Sequence, residues 1–287
     1  DTYPLVINGY ANSQLDNYTD GAMLNRALYS DDRSPFINAI ECCQYHFEDK
    51  NPMESFMSYL WMEEGYSVVP YSRYWHGFLI FLKPLLMCMS YTDIRVLNSL
   101  FQLLLLGAVL WQLTGKKLQR YILPLLLAVF YLVPSVLAMS LQYSSVYNLA
   151  LLSLLILFLF YEKIKEKNLF PELFLITGIL TSYFDLLTYP LITLGFPLIF
   201  TLILLQREKK PLRPLLTSIL TYSFSWGIGY IGMWAGKWLL AVLILGTASF
   251  SSVTGALETR SLSGAVKEGV SVKEVIQNNL EMLNKPI

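Results

Sequence analysis

The sequence predicts an all-α protein, a polytopic transmembrane helical bundle with a long extracytoplasmic first loop bearing juxtamembrane amphipathic helices. Three observations predict it. The 287-residue chain is 54% hydrophobic and only 15% charged, where a soluble domain averages about 25% charged. Six apolar runs approach or reach the length that crosses a bilayer core of about 30 Å. The formal net charge is zero, yet residues 1–93 hold 12 acidic against 5 basic side chains and the remainder 9 against 16. An acidic front and a basic back suit a chain with one region on each side of a membrane.

Residues 1–93 read as an outward-facing region. "DGAMLNRAL" (20–28) and "MESFMSYLWMEEG" (53–65) have the spacing of amphipathic helices. "HGFLIFLKPLLMCMSY" (76–91) is apolar but too short to span, with Lys83 placed to snorkel and Pro84 expected to break or kink its helix. It reads as a juxtamembrane helix leading into the first crossing. The chain starts at Asp1 rather than Met, and a hydrophobic span preceding residue 1 is expected.

The apolar runs then follow at 94–114, 121–139, 143–161, 169–185, 191–206 and 214–235. The loops "GKKLQR" (115–120), "EKIKEK" (162–167) and "REKKPLR" (207–213) are basic. The positive-inside rule assigns these three to the cytoplasm, and the alternate connections and residues 1–93 to the outside. A shorter run at 237–250 is expected to lie along the outer surface, with a crossing as the alternative. The polar tail carries one helical pattern, "SVKEVIQNNLEML". The expected organisation is thus an extracytoplasmic loop (1–93), a six-helix core (94–235) and an interfacial helix with a polar segment (236–287).

Several chemistries are unsupported. Cys42, Cys43 and Cys88 form no disulfide framework. "CCQYH" offers two thiols and His46 without a second cluster to close a zinc site. No phosphate loop, HExxH pattern or nucleic-acid signature is present.

Four stretches hold the residues suited to chemistry. In "LDNYTDGAMLN" (15–25), Asn17 and Asp20 have the spacing of a helix cap; Asp16 and Asp20 also put two carboxylates near the outer surface, as candidate general bases. In "YSRYWHGFLIFLKP" (71–84), Arg73, Trp75 and His76 fit an interfacial aromatic belt, or a sugar-stacking and phosphate-binding cluster. In "WAGKWLL" (234–240), Lys237 lies between Trp234 and Trp238. Lys237 and Arg260 are the outward cations best placed for an anionic lipid headgroup. Last, "TSYFDLLTYPL" (181–191) holds a lone carboxylate, Asp185, beside Tyr183. A charge in a span costs about 2.5–3.5 kcal/mol at the helix centre, so the residue either ends a helix near Pro190 or has a partner.

Taken together, "LDNYTDGAML", "YSRYWHGFLIFLKPLL" and "YTDIRVLNSL" resemble the GT-C superfamily of integral-membrane glycosyltransferases, in its uncharacterised bacterial branch. "SYFDLLTYP" and "GYIGMWAGKW" add to the likeness, which covers most of the chain through layout and loose motifs. The resemblance implies transfer of a sugar from a polyprenyl-phosphate donor to a cell-envelope glycan or lipid acceptor, on the extracytoplasmic face of the plasma (inner) membrane. It implies that Asp20 or Asp16 is the acid of the first loop, either general base or associated with a divalent cation (Mg or Mn). Arg73, Lys237 and Arg260 would then meet the lipid phosphate, and Trp75, His76, Tyr183 and Asp185 the sugar. The loop "SLQYSSVYN" lacks the second acid that many members carry, which leaves a two-acid metal site unsupported there. The rival readings are a transporter or flippase of lipid-linked sugars and a non-catalytic envelope-assembly subunit. Against transport, the span interiors are nearly pure hydrocarbon and no repeat is visible.

Overall fold

The computed structural model describes Leu15, residues 17–186, 188–207 and 211–246, and Lys273, Glu274, Gln277, Leu280 and Glu281 of the tail. Two parts follow one another along the chain, a mixed module and a helical bundle.

The module opens with α1 (Asn17–Leu28), as the amphipathic pattern predicts. α2 (Pro35–Glu41) starts where Ser34 caps it and proline occupies its first turn, and ends at Cys42 in the left-handed conformation. A short antiparallel pair, β1 (Gln44–His46) and β2 (Ser67–Val69), brackets α3 (Pro52–Leu60). Asn51 and Glu54 form a capping box at the α3 start, which fixes where the helix begins. Asn25 then acts as a substitute strand. Its side-chain amide donates to Tyr45 O and accepts from Tyr45 N, each at 2.8 Å, so α1 closes the open edge of β1. Gly21 makes the α1–α3 crossing possible, because a Cβ there would overlap the Met53 backbone.

α4 (Leu79–Cys88) carries Pro84 in its interior, so the proline does not break the helix there. Proline costs a helix one hydrogen bond, and here α4 is held by its neighbours instead: Lys83 Nζ donates to Tyr29 O at 3.1 Å, tying α4 to the chain just beyond α1.

The bundle consists of α5 (Tyr91–Gly115), α6 (Ile122–Tyr131), α7 (Pro134–Met139), α8 (Leu141–Glu166), α9 (Phe170–Phe184), α10 (Ile192–Arg207) and α11 (Leu212–Leu245). Three of them, α5, α8 and α11 from Arg213, are long and apolar enough to cross a membrane. At 1.5 Å per residue they measure about 38, 39 and 50 Å. α9 and α10, with 15 and 16 residues, reach only about 22 and 24 Å, and stand as shorter apolar helices. The core is built from Val109, Leu113, Leu151, Leu154 and Phe174, all fully enclosed. The outward faces are equally apolar, with Leu103, Leu104 and Trp111 on α5 and Leu220, Phe224 and Ile228 on α11 exposed. A helix apolar on both faces belongs in lipid, and the protein is read here as a membrane protein.

Two sequence expectations change. The run 121–139 is two helices with a break at Leu132–Val133, where Val133 takes φ 54° before Pro134. The residue before proline is pushed out of the α region and proline has no N–H to continue the ladder. The run 237–250 is not a separate surface helix in its described part. Residues through Leu245 continue α11 without interruption, since neither Gly232 nor Gly236 is followed by a helix-stopping residue. The boundary at 235/236 therefore falls inside a helix.

α9 and α11 lie in the closest contact of the bundle. A Cβ on Gly178 would overlap Trp226 O and one on Gly229 would overlap Leu175 O, so the two glycines let the backbones touch, as small residues do between membrane helices. The two ends of the bundle differ in character. At one end Arg207 Nη1 donates to Lys116 O at 2.7 Å and Lys116 lies over the Tyr161 ring, which gathers the basic loops. At the other, Tyr189 OH donates to Tyr143 O at 2.6 Å, and Trp75 Nε1 to Met233 O at 2.8 Å, where the module docks.

Candidate functional site

Residues 70–78, between β2 and α4, are fixed to the bundle by backbone groups. Trp234 and Trp238 both donate their indole N–H to Arg73 O, at 3.3 and 3.2 Å, and Gly77 N donates to Tyr183 O at 3.0 Å. Gly77 lies so close to Tyr183 that a Cβ would collide with the ring. These ties bring Arg73, Trp75 and His76 together with Tyr183 and Lys237 from distant parts of the sequence. The Trp75 ring is 5.6 Å from that of Tyr183, and Lys237 Nζ is 5.1 Å from the Trp75 centroid.

Lys237 is fully buried and donates to the carbonyls of Ala39 and Ile40, at 3.1 and 2.6 Å. It thus occupies the negative end of the α2 dipole, rather than standing as an exposed outward cation. Arg26 on α1 is 7% exposed, donates Nη1 to Ala22 O at 2.8 Å and stacks 4.5 Å from the Tyr71 centroid. Arg73 stacks on the same ring at 4.6 Å. Neither Arg26, Arg73 nor Lys237 forms an ion pair with a carboxylate among the described residues; the four ion pairs there involve Arg33 twice, Lys50 and Arg95.

His76 lies between them, 4% exposed and in the left-handed conformation at φ 51°. Burial first, then the charges of Arg26 and Lys237, hold its pKa well below the ordinary 6.5, so the imidazole is neutral. Its Nδ1 has no hydrogen-bond partner among the described residues, nor has Arg26 Nε. The Cys42 thiol beside them is pushed up by burial against the pull of Arg26 and Lys237. Two enclosed cations, a third half-buried one and a neutral histidine, walled by Tyr71, Tyr74 and Trp75, form an electropositive aromatic cluster.

Asp20 belongs to a different contact. It is fully buried, and its Oδ2 meets Arg95 Nη2 of α5 at 2.5 Å. The carboxylate expected as an exposed base is therefore an interior ion pair that joins α1 to α5. Asp185 ends α9: its Oδ1 accepts from Thr188 N (2.9 Å) and Thr188 Oγ1 (2.7 Å), and Tyr230 OH approaches Oδ2 at 3.5 Å. It pairs with no cation among the described residues. Asp16 and Arg260 lie outside the described residues. For a divalent cation, no group of three or more His, Cys, Asp or Glu side chains converges among the described residues, and Asp20 and Asp185 are already engaged with Arg95 and Thr188.

Next to the cluster runs an apolar groove of about 500 Å³ between α4, α5 and α8. Its wall includes Met23, one turn before Arg26 on α1, and Phe78, whose ring is 5.9 Å from that of His76. A polar strip crosses it at Asn98, Ser144, Ser145 and Asn148. Sequence reasoning missed Arg26 and Arg95. Arg26 was detectable as a cation four residues after Ala22 and three after Met23, on the apolar stripe of α1. Comparison with family models, curated proteins and solved structures finds no match.

Proposed function

We propose that this chain is a module of a membrane glycosyltransferase, taking a sugar from a polyprenyl-phosphate donor and passing it to a cell-envelope acceptor outside the plasma membrane. The observation that carries the reading is the pair of enclosed cations, Arg26 and Lys237, which form no ion pair with a carboxylate among the described residues and whose cluster neighbours an apolar groove walled by Met23 and Phe78. Burying charge without a counter-charge is costly, and the phosphate of an anionic lipid supplies the missing charge. The gathering of the basic loops at the far end of the bundle supports the positive-inside orientation, with the cluster facing outward.

In this reading an acceptor hydroxyl attacks the anomeric carbon as the bond from that carbon to the phosphate oxygen breaks. The lipid phosphate leaves with the electron pair. Arg26 and Arg73, fixed by stacking on Tyr71, stabilise the charge that develops there; Lys237 adds its field from behind Trp75. Trp75 and Tyr183 offer ring faces to the sugar. The hydroxyl proton goes to a first-loop carboxylate. Asp20 reaches it only when substrate entry opens the contact with Arg95, and Asp16 is the other base.

The test is sugar release by the purified full-length protein from a panel of polyprenyl-phosphate sugars. Release from at least one supports the transferase. Transbilayer movement of the same lipids without release makes the protein a flippase, and neither activity leaves an assembly subunit.

A further inference from the structure

The polar strip inside the groove has one unmet valence. Asn98 donates its side-chain N–H groups to Ala138 O (2.7 Å) and Ser144 Oγ (2.8 Å), and accepts from Asn148 Nδ2 at 3.2 Å. Ser144 Oγ donates in turn to Leu137 O at 2.6 Å. With both Asn98 donors used, only its oxygen faces Asn148, and this sets the Asn148 amide with Nδ2 inward. Asn148 Oδ1 is then buried in the groove wall with no partner among the described residues. An unsatisfied carbonyl on hydrocarbon is a costly arrangement.

A plain isoprenoid or alkyl chain cannot repair it, having no donor. We infer that the groove seats an acyl lipid whose chain region carries an O–H or N–H group, which donates to Asn148 Oδ1. Asn98 is seven residues into α5 and Asn148 seven into α8, so the strip lies about 10 Å below the helix starts. A headgroup at the level of the cationic cluster would put a chain hydroxyl or an amide linkage near that depth. Building on the transferase reading, the groove is then the seat of a lipid acceptor rather than of the polyprenyl donor.

The experiment is competition against a fluorescent fatty-acyl probe bound to the purified full-length protein in detergent micelles. The competitors are a 3-hydroxyacyl glycerolipid, an N-acyl sphingoid lipid, the chain-matched glycerolipid without the hydroxyl, and undecaprenyl phosphate. The hydroxyacyl or the N-acyl lipid should displace the probe about tenfold better than the deoxy lipid, and which of them does so identifies the donor group. Asn148→Leu should abolish that ratio. Equal displacement by the hydroxylated and deoxy lipids in the unsubstituted protein overturns the inference, whether or not the variant folds, and leaves water as the partner of Asn148. Loss of sugar release with the lipid ranking intact would instead count against the transferase reading alone.

Discussion

Arg95 and Asp20, 75 positions apart, meet at 2.5 Å in the interior and bridge α5 to α1. This contact fixes the helix that carries Arg26 onto the bundle that carries Lys237. Removing one partner of a buried pair leaves an isolated charge and costs about 3–5 kcal/mol. Asp20→Ala and Arg95→Met should each lower the thermal midpoint sharply in detergent, and the double Asp20→Ala/Arg95→Met variant less than the sum. Additive losses would mean that the two side chains do not act as a pair. For the catalytic assignment, Asp16→Asn and Asp20→Asn are made singly and together. Full glycosylation in cells carrying the double variant would remove both from the mechanism.

Lys237 is assigned to the α2 carbonyls, and that has its own signature. Lys237→Met leaves Ala39 O and Ile40 O without their donor, a loss of about 1–3 kcal/mol. The variant should unfold at lower temperature, with faster amide exchange in 35–41. A variant of unchanged stability that only binds lipid phosphate more weakly would return Lys237 to the role of a direct ligand.

His76 makes stability depend on pH. Its pKa is depressed in the folded chain, so below about pH 6.5 the unfolded chain takes up a proton that the folded chain does not. Stability is complete above that pH and falls as the solution is acidified. In His76→Asn, which tolerates the left-handed backbone, the fall in thermal midpoint from pH 7 to pH 5 should be shallower. An identical pH profile would show that His76 does not contribute this term.

The α9–α11 contact is expected to tolerate no added carbon. Gly178→Ala and Gly229→Ala each force the backbones apart, and overpacking of this kind costs about 1–3 kcal/mol. Unfolding midpoints equal to that of the unsubstituted protein would show the helices are free to separate.

Local signals were legible in the sequence. The amphipathic patterns gave α1 and α3, whereas the Ser90–Asp93 capping box that starts α5 at Tyr91 went unread. The basic loops pointed to one end of the bundle, where Arg207 and Lys116 meet. Contacts closed over long separations were not legible. Nothing near Lys237 in sequence points to Ala39 and Ile40, nearly 200 positions away, and Asp20 shows its partner only once the fold brings Arg95 within reach of α1. Asp185 turned out local: the residue that stood out as a lone charge binds the turn three residues on. The break before Pro134 has its cause in the proline itself, although the apolar length of 121–139 predicts a single run.

The central claim is that Arg26, in the electropositive cluster beside the groove, receives a lipid phosphate. Arg26→Met tests it most directly, because the methionine keeps the packing on Tyr71 while removing the charge. Sugar release from the polyprenyl-phosphate donor that the unsubstituted protein accepts is measured for both, with folding checked by thermal midpoint. The account predicts a fall of about 10²–10³-fold in turnover with a folded variant. Unchanged turnover in a folded Arg26→Met protein would contradict it.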